Sequence, residues 1–207
     1  PEGRANLWRV REDGAGLSSR LATGGESWPG WEDSAVAPEN LAAYLAELRT
    51  LMGEYDLDGV MYGHFGAGCM HVRITFDLRS AEGRAVMARF CTEAAELVVR
   101  HGGSLSGEHG DGRARSALLP LMYSPAMMSA FTRFKAIWDP DGILNPGSIV
   151  DPPPITADLA LADVPRRHWP TAFDLGHELP LVDPFVHAVQ GCIGVGRCRA
   201  DSGGVMC

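Results

Sequence analysis

Residues 69–77, CMHVRITFD, alternate strictly: Met70, Val72, Ile74 and Phe76 fall on one side of an extended chain, and His71, Arg73 and Thr75 on the other. Successive side chains of a strand point to opposite faces, so this run reads as a strand with one covered apolar face and one polar face. Such a strand belongs to an antiparallel sheet, because strands of an all-parallel sheet are covered on both faces and read as unbroken apolar runs. A second β-type run, 57–63 (LDGVMYG), precedes it across the turn HFGAG. Helices must supply the cover. Pro38 reads as a first-turn proline, followed by Leu41, Tyr44, Leu45, Leu48 and Met52 at helical spacing. A second helix is predicted over 80–101, with Ser80 as N-cap, a buried stripe of Val86, Phe90, Ala94, Leu97 and Val98, and Gly102-Gly103 as the stop. A third opens at Ser124-Pro125 and runs to Trp138, ended by Pro140. The order α-β-β-α-α predicts an α+β fold, an antiparallel sheet with helices packed on one face. Residues 1–37 are mixed and glycine-rich, with a Trp-Pro-Gly-Trp turn at Trp28 to Trp31. From Asp151 the proline run 152–154 and thin periodicity to about residue 180 read as a linker into an extended C-terminal tail.

Of the 207 residues, 45% are hydrophobic and 21% charged, a balance that buries a core and excludes wholesale disorder. The net charge of −8 argues against a nucleic-acid partner. No apolar run approaches the roughly 18 to 20 residues of a membrane span, and no signal peptide is expected in this stretch of sequence. The sequence starts at Pro1 without a methionine and ends on Cys207, as expected of a segment of a longer polypeptide. Its five cysteines divide in two. Cys69 and Cys91 sit singly in apolar patterns and read as buried, inert thiols. Cys192, Cys198 and Cys207 crowd among glycines beside Arg197 and Arg199, which fits metal or cluster ligation in a reducing compartment better than a disulfide framework.

Four constellations can carry chemistry. In His64-Phe-Gly-Ala-Gly-Cys-Met-His71 two imidazoles flank a tight turn, so they converge as metal ligands or, alternatively, cap the turn and face solvent. Gly107-Glu108-His109-Gly110-Asp111-Gly112-Arg113 offers a carboxylate ligand in Glu108 and a general base in His109, or else is a polar surface turn. Asn145-Pro146-Gly147 closes the third helix as a turn. Leu7-Trp8-Arg9-Val10-Arg11-Glu12 holds two arginines suited to a carboxylate or to surface ion pairs.

Taken in order, these motifs resemble a known family. GHFGAGCMH is similar to the GHxGxGNxH signature of the C-terminal domain of FAD-linked oxidases in the vanillyl-alcohol-oxidase superfamily, with Cys69 in place of the asparagine. GEHGDGR, DPDGILNPG, LWxxRE and the EDSAVAP-like segment at 32–38 match the same domain. The resemblance is closest to the branch that acts on D-lactate, glycolate and D-2-hydroxyglutarate. It implies a ferredoxin-like substrate (cap) domain over residues 1–151 of an FAD-dependent dehydrogenase that oxidises a 2-hydroxy acid. It further implies a divalent metal, commonly zinc, on His64, His71 and Glu108, and His109 as the base for the substrate hydroxyl. Arg11, with Arg9 in reserve, would hold the substrate carboxylate, and Asn145 would meet the flavin. Residues 191–207 resemble the junction with a fused iron–sulfur domain, Cys192, Cys198 and Cys207 matching C-x5-C-x8-C as three of the four ligands of a [4Fe–4S] cluster. Residues 152–207 are then a linker and the truncated start of that domain. The partners implied are the upstream FAD-binding domain, the downstream iron–sulfur domain, a 2-hydroxy-acid substrate and a quinone or protein electron acceptor. The expected location is cytoplasmic or peripheral at the inner membrane, and the fragment alone is expected to be inactive. The rival readings are a non-catalytic metal-binding or flavoprotein-interaction domain and a metal-free FAD oxidase.

Overall fold

The computed structural model describes residues 26–162 continuously, and beside them 3–5, 7–8, 18, 21, 169–173, 175, 183–190, 192 and 197–199. The chain forms two compact units, one of Trp28–Ala162 and one of Pro1–Ser27 with Asp163–Cys207. In the second of these the described residues include one short helix, Pro184–Gln190, whose buried His187 lies 3.4 Å from the Glu26 carboxylate. The extended tail falls largely outside the described residues. Among the described helices none is long and apolar enough to cross a membrane.

Trp28–Ala162 is an α+β fold. Three strands, β1 (Trp28–Ala35), β2 (Gly59–His64) and β3 (Cys69–Ile74), form an antiparallel sheet in the order β1-β3-β2. Helix α1 (Leu41–Glu54) and helix α2 (Ala81–Arg100) pack against it and each other. Then come the short helix α3 (Gly112–Ser116) and helix α4 (Pro125–Trp138). The alternation at 69–77 plays out as read: Met70, Val72 and Ile74 are fully buried in the core with Tyr44, Leu48 and Phe90. A buried side chain such as Phe90 contributes about 1.5–3 kcal/mol of transfer free energy. Helix α2 starts where Ser80 Oγ accepts from the Gly83 N–H at 3.0 Å and stops at Gly102, whose φ of +69° suits glycine. Its buried stripe runs through Met87, Phe90, Cys91, Ala94, Leu97 and Val98, while Val86 is only half-buried.

Strand β1 corrects the sequence reading, which made Trp28–Trp31 a turn. Pro29 has no N–H to give a ladder, and an edge strand is where a sheet tolerates it. At Gly30 a Cβ would lie 2.4 Å from the Phe76 ring, so the absent side chain makes room for that phenylalanine. Trp31 is fully buried, its Nε1 donating to the Tyr44 hydroxyl at 2.8 Å, and Tyr44 in turn donates to Ser34 Oγ at 2.8 Å. The β1 register against β3 passes from Trp31↔Val72 to Ser34↔Met70, three steps against two, which places an extra residue at Glu32-Asp33. Asp33 takes a φ of +71° there.

Beyond Asp151 the chain stays on this unit through Ala162. Ile155 and Leu159 pack against the core, and Arg113 donates to the Ala157 carbonyl and pairs with Asp158, both at 3.0 Å.

Candidate metal centre

The two signature histidines meet because the hairpin is short. His64 ends β2, His71 lies on β3, and a single 3-10 turn, Phe65–Ala67, joins the strands. Gly68 closes it with φ +70°, and a Cβ there would come within 1.9 Å of the Val36 carbonyl oxygen, so only glycine permits this turn. The imidazoles stand edge to face, 5.9 Å between centroids.

Glu108 arrives from the loop after α2. That loop is hung on β1: Ser104 and Ala35 exchange backbone hydrogen bonds, and the Gly107 N–H donates to the Asp33 carbonyl at 2.7 Å. Glu108 Oε1 then lies 3.2 Å from His64 Nε2, 3.6 Å from His71 Nε2 and 3.6 Å from His109 Nε2. Two neutral imidazoles and a carboxylate are a donor set suited to a divalent metal of borderline softness. The spacing fits as well. Metal–ligand bonds of about 2.0–2.1 Å place donor atoms about 2.8–3.0 Å apart in octahedral and about 3.3–3.4 Å apart in tetrahedral geometry, and the 3.2 and 3.6 Å found lie nearer the tetrahedral spacing.

Three donor groups are close enough to hold one ion, and the engagement of Asp33 separates them. His64, His71 and Glu108, Asp33 with His71 and His109, and Asp33 with Cys69 and Glu108 each bring donor atoms within 4.8 Å of one another. Asp33 is already engaged, accepting from Ser106 Oγ, from Cys69 Sγ at 3.2 Å, from the Glu108 N–H at 3.1 Å and from the His109 N–H at 2.8 Å. That leaves His64, His71 and Glu108. Burial works to raise the Asp33 carboxyl, but these donors outweigh it and hold the group down to about 2. Burial and the Asp33 carboxylate push the Cys69 thiol up to about 12, and burial lifts Cys91 to about 11. Both thiols are inert, as the sequence implied.

His71 is buried, and its Nδ1 faces Glu32 Oε2 at 2.9 Å while Nε2 faces Glu108. The Glu32 contact is an ion pair rather than a well-formed hydrogen bond, and a carboxylate so placed still favours a ring orientation that leaves Nε2 for a ligand role. His109 stacks on His71, centroids 5.0 Å apart and planes 17° off parallel, with its side chain half-exposed. Buried Arg115 donates to the Glu32 carbonyl at 3.0 Å, its guanidinium 4.5 Å from the Trp31 ring centroid.

The cluster therefore unites His64, His71, Glu108 and His109, all expected from the sequence. Asn145 belongs to another setting. It has φ +50° and lines an apolar groove with Phe131, Phe134, Trp138 and Leu144. Asp139 shapes that loop by accepting the Ile143 and Leu144 N–H groups at 2.8 and 2.9 Å, with Lys135 bonded to it and to the Leu144 carbonyl. Cys192 and Cys198 are exposed, while Arg9, Arg11 and Cys207 lie outside the described residues. Sequence reasoning gave no role to Glu32 or Asp33, although the EDSAVAP segment containing them was the signal available.

Fold and cluster together define an α+β domain with a donor set for one divalent cation. Residues 1–149 match the family described as FAD linked oxidases, C-terminal domain, and the chain belongs to that family. It is similar to the D-2-hydroxyglutarate dehydrogenase of Haemophilus influenzae, 33% identical over 204 residues, which is 97% of this chain and 19% of the relative. The Escherichia coli protein of the same name is 30% identical over 206 residues, 99% of this chain and 20% of the relative. Glycolate oxidase subunit GlcD of Escherichia coli is 32% identical over 138 residues, 67% of this chain and 28% of that subunit. The chain thus spans about a fifth of the length of these D-2-hydroxyglutarate dehydrogenases.

Proposed function

We propose that this chain is the substrate domain of an FAD-dependent dehydrogenase that oxidises a 2-hydroxy acid of the D-lactate, glycolate or D-2-hydroxyglutarate type to the 2-oxo acid. The observation that carries this reading is the convergence of His64, His71 and Glu108 on one point, with Glu32 behind His71. A divalent cation on these three, zinc in this reading, supplies Lewis acidity toward the substrate's hydroxyl and carboxylate oxygens. FAD supplies the two-electron acceptor for C2. The chain's own residues do the rest. Glu32 orients His71, and His109, half-exposed beside the carboxylate of Glu108, takes the hydroxyl proton as general base. Arg11, with Arg9 in reserve, grips the substrate carboxylate and so aligns C2 for transfer.

Asn145 and the α4 face meet the flavin-bearing part of the protein. Phe134, Ile137, Trp138, Ile143 and Leu144 are each at least 62% exposed, and a concentration of apolar surface of this kind marks an interface. The similarity to the Haemophilus and Escherichia coli dehydrogenases covers 97–99% of this chain and so runs past the family match at residue 149 into the cysteine-bearing tail. This supports reading the chain beyond the packed segment 152–162 as a linker and the start of an iron–sulfur domain, to which Cys192, Cys198 and Cys207 bring three ligands. Electrons then leave for a quinone or a protein acceptor, in the cytoplasm or at the inner-membrane surface.

The test uses the polypeptide that carries this chain together with its flavin domain. D-lactate, glycolate and D-2-hydroxyglutarate are offered in turn without oxygen while flavin absorbance is followed. Rapid bleaching by one of them, abolished by a chelator and restored by zinc, is the expected result. Bleaching by none of the three from a metal-loaded protein overturns the assignment.

A further inference from the structure

Two consecutive residues of β1, Glu32 and Asp33, both serve the cluster, which a regular strand forbids because neighbours point to opposite faces. The extra residue in the β1–β3 register removes that restriction. Glu32 reaches His71 from one side, and Asp33, at φ +71°, turns its carboxylate under the loop that carries Glu108 and His109. We propose that Asp33 is a positioning residue for the metal centre, one that ligates nothing and sets where Glu108 and His109 stand. The proposal rests on the reading of His64, His71 and Glu108 as metal ligands.

Four donors to one carboxylate argue it. The Glu108 and His109 N–H groups both donate to Asp33, so the backbone of the ligand and of the base is fixed from below. Ser106 Oγ donates as well, which ties down the residue at which the loop turns toward the sheet. Cys69 Sγ, between the two histidine positions in sequence, donates from the hairpin side at 3.2 Å. A single acceptor thus joins the hairpin bearing His64 and His71 to the loop bearing Glu108, and fixes their separation. Asn at this position keeps the size but turns an N–H₂ toward groups that are themselves donors. The loop must then move away by a fraction of an ångström, and a carboxylate ligand is sensitive to that displacement.

Gly107 gives a second handle that leaves every charge in place. A Cβ there would meet the Ala35 Cβ at 2.9 Å and Cys69 Sγ at 3.1 Å, so Gly107→Ala lifts the same loop by steric contact alone.

The experiment measures zinc affinity of the 207-residue chain by chelator competition, together with the visible spectrum of the cobalt(II)-loaded chain, for wild type, Asp33→Asn, Gly107→Ala and Glu108→Ala. Positioning predicts that Asp33→Asn and Gly107→Ala each weaken zinc about 10- to 100-fold and alter the cobalt bands, while circular dichroism shows both folded; this is the size of effect seen when a ligand's support is lost. Glu108→Ala should lose tight binding. Wild-type affinity and spectrum in a folded Asp33→Asn, with Glu108→Ala impaired, overturn the positioning role and leave the metal site standing. If Asp33→Asn does not fold, Gly107→Ala decides: an unchanged affinity and spectrum there overturn the role. Equal, weak zinc binding by wild type and Glu108→Ala instead removes the metal reading, and the positioning role falls with it.

Discussion

Asp33 has a consequence in acid that can be given a size. Its carboxyl, ordinarily at 3.8, is held at about 2 in the folded chain because hydrogen bonds from Ser106, His109, Cys69 and Glu108 outweigh the cost of burial. A native value below the unfolded one means that folding favours the ionised form, and the difference amounts to about 2.4 kcal/mol. That contribution is fully present above about pH 5 and drains away as pH falls through the native value. About 1 kcal/mol of it is gone at pH 3 and about 2 kcal/mol at pH 2. The variant Asp33→Asn cannot titrate, so the stability gap between wild type and variant isolates this carboxyl while every other group cancels. Urea unfolding of both proteins in chelator, followed by tryptophan fluorescence because Trp31 is fully buried in the core, should show the gap narrowing by about 1 kcal/mol between pH 6 and pH 3. A gap of constant size over that range would refute the argument that these donors act on an ionised Asp33.

Three further outcomes are expected. His109→Ala in the flavin-containing protein should leave metal and flavin bound yet slow anaerobic flavin reduction by at least about 10²-fold, the usual scale of general-base catalysis; a wild-type rate removes His109 from the mechanism. Glu32→Gln should weaken zinc about 10- to 100-fold in chelator competition by loosening the hold on His71, and an unchanged constant would show that Glu32 is a bystander. Gly68→Ala should cost about 2–3 kcal/mol in urea unfolding, from the left-handed backbone and from the Val36 N–H to Gly68 carbonyl bond that the new Cβ would disrupt. An unaltered midpoint would mean that the turn relaxes freely.

Much of the fold was legible because its signals are local. Ser80 and Ser124 cap their helices through their own hydroxyls, and the stripe from Leu41 to Met52 repeats at a helix's period. Strand β1 was not, because its opening Trp-Pro-Gly-Trp is the vocabulary of a turn. Only an edge position and the Phe76 ring over Gly30 make it a strand, and both are tertiary facts. The same division holds at the cluster. His64 and His71 are seven residues apart across one turn, and the loop with Glu108 and His109 announces itself by its glycines. Glu32 and Asp33 owe their parts to an irregularity in strand pairing, which no count of residues along the chain reveals.

Helix α4 has a good cap and no buried residue, whereas the longer α2 has seven. Its hydrogen bonds can open one turn at a time without disturbing the core, so its amides should exchange with deuterium far sooner than those of α2. If the flavin-bearing part covers its apolar face as proposed, the exchange should slow. The exchange rate along Pro125–Trp138 is then a gauge of assembly, read without any substrate and independent of whether the metal centre is filled.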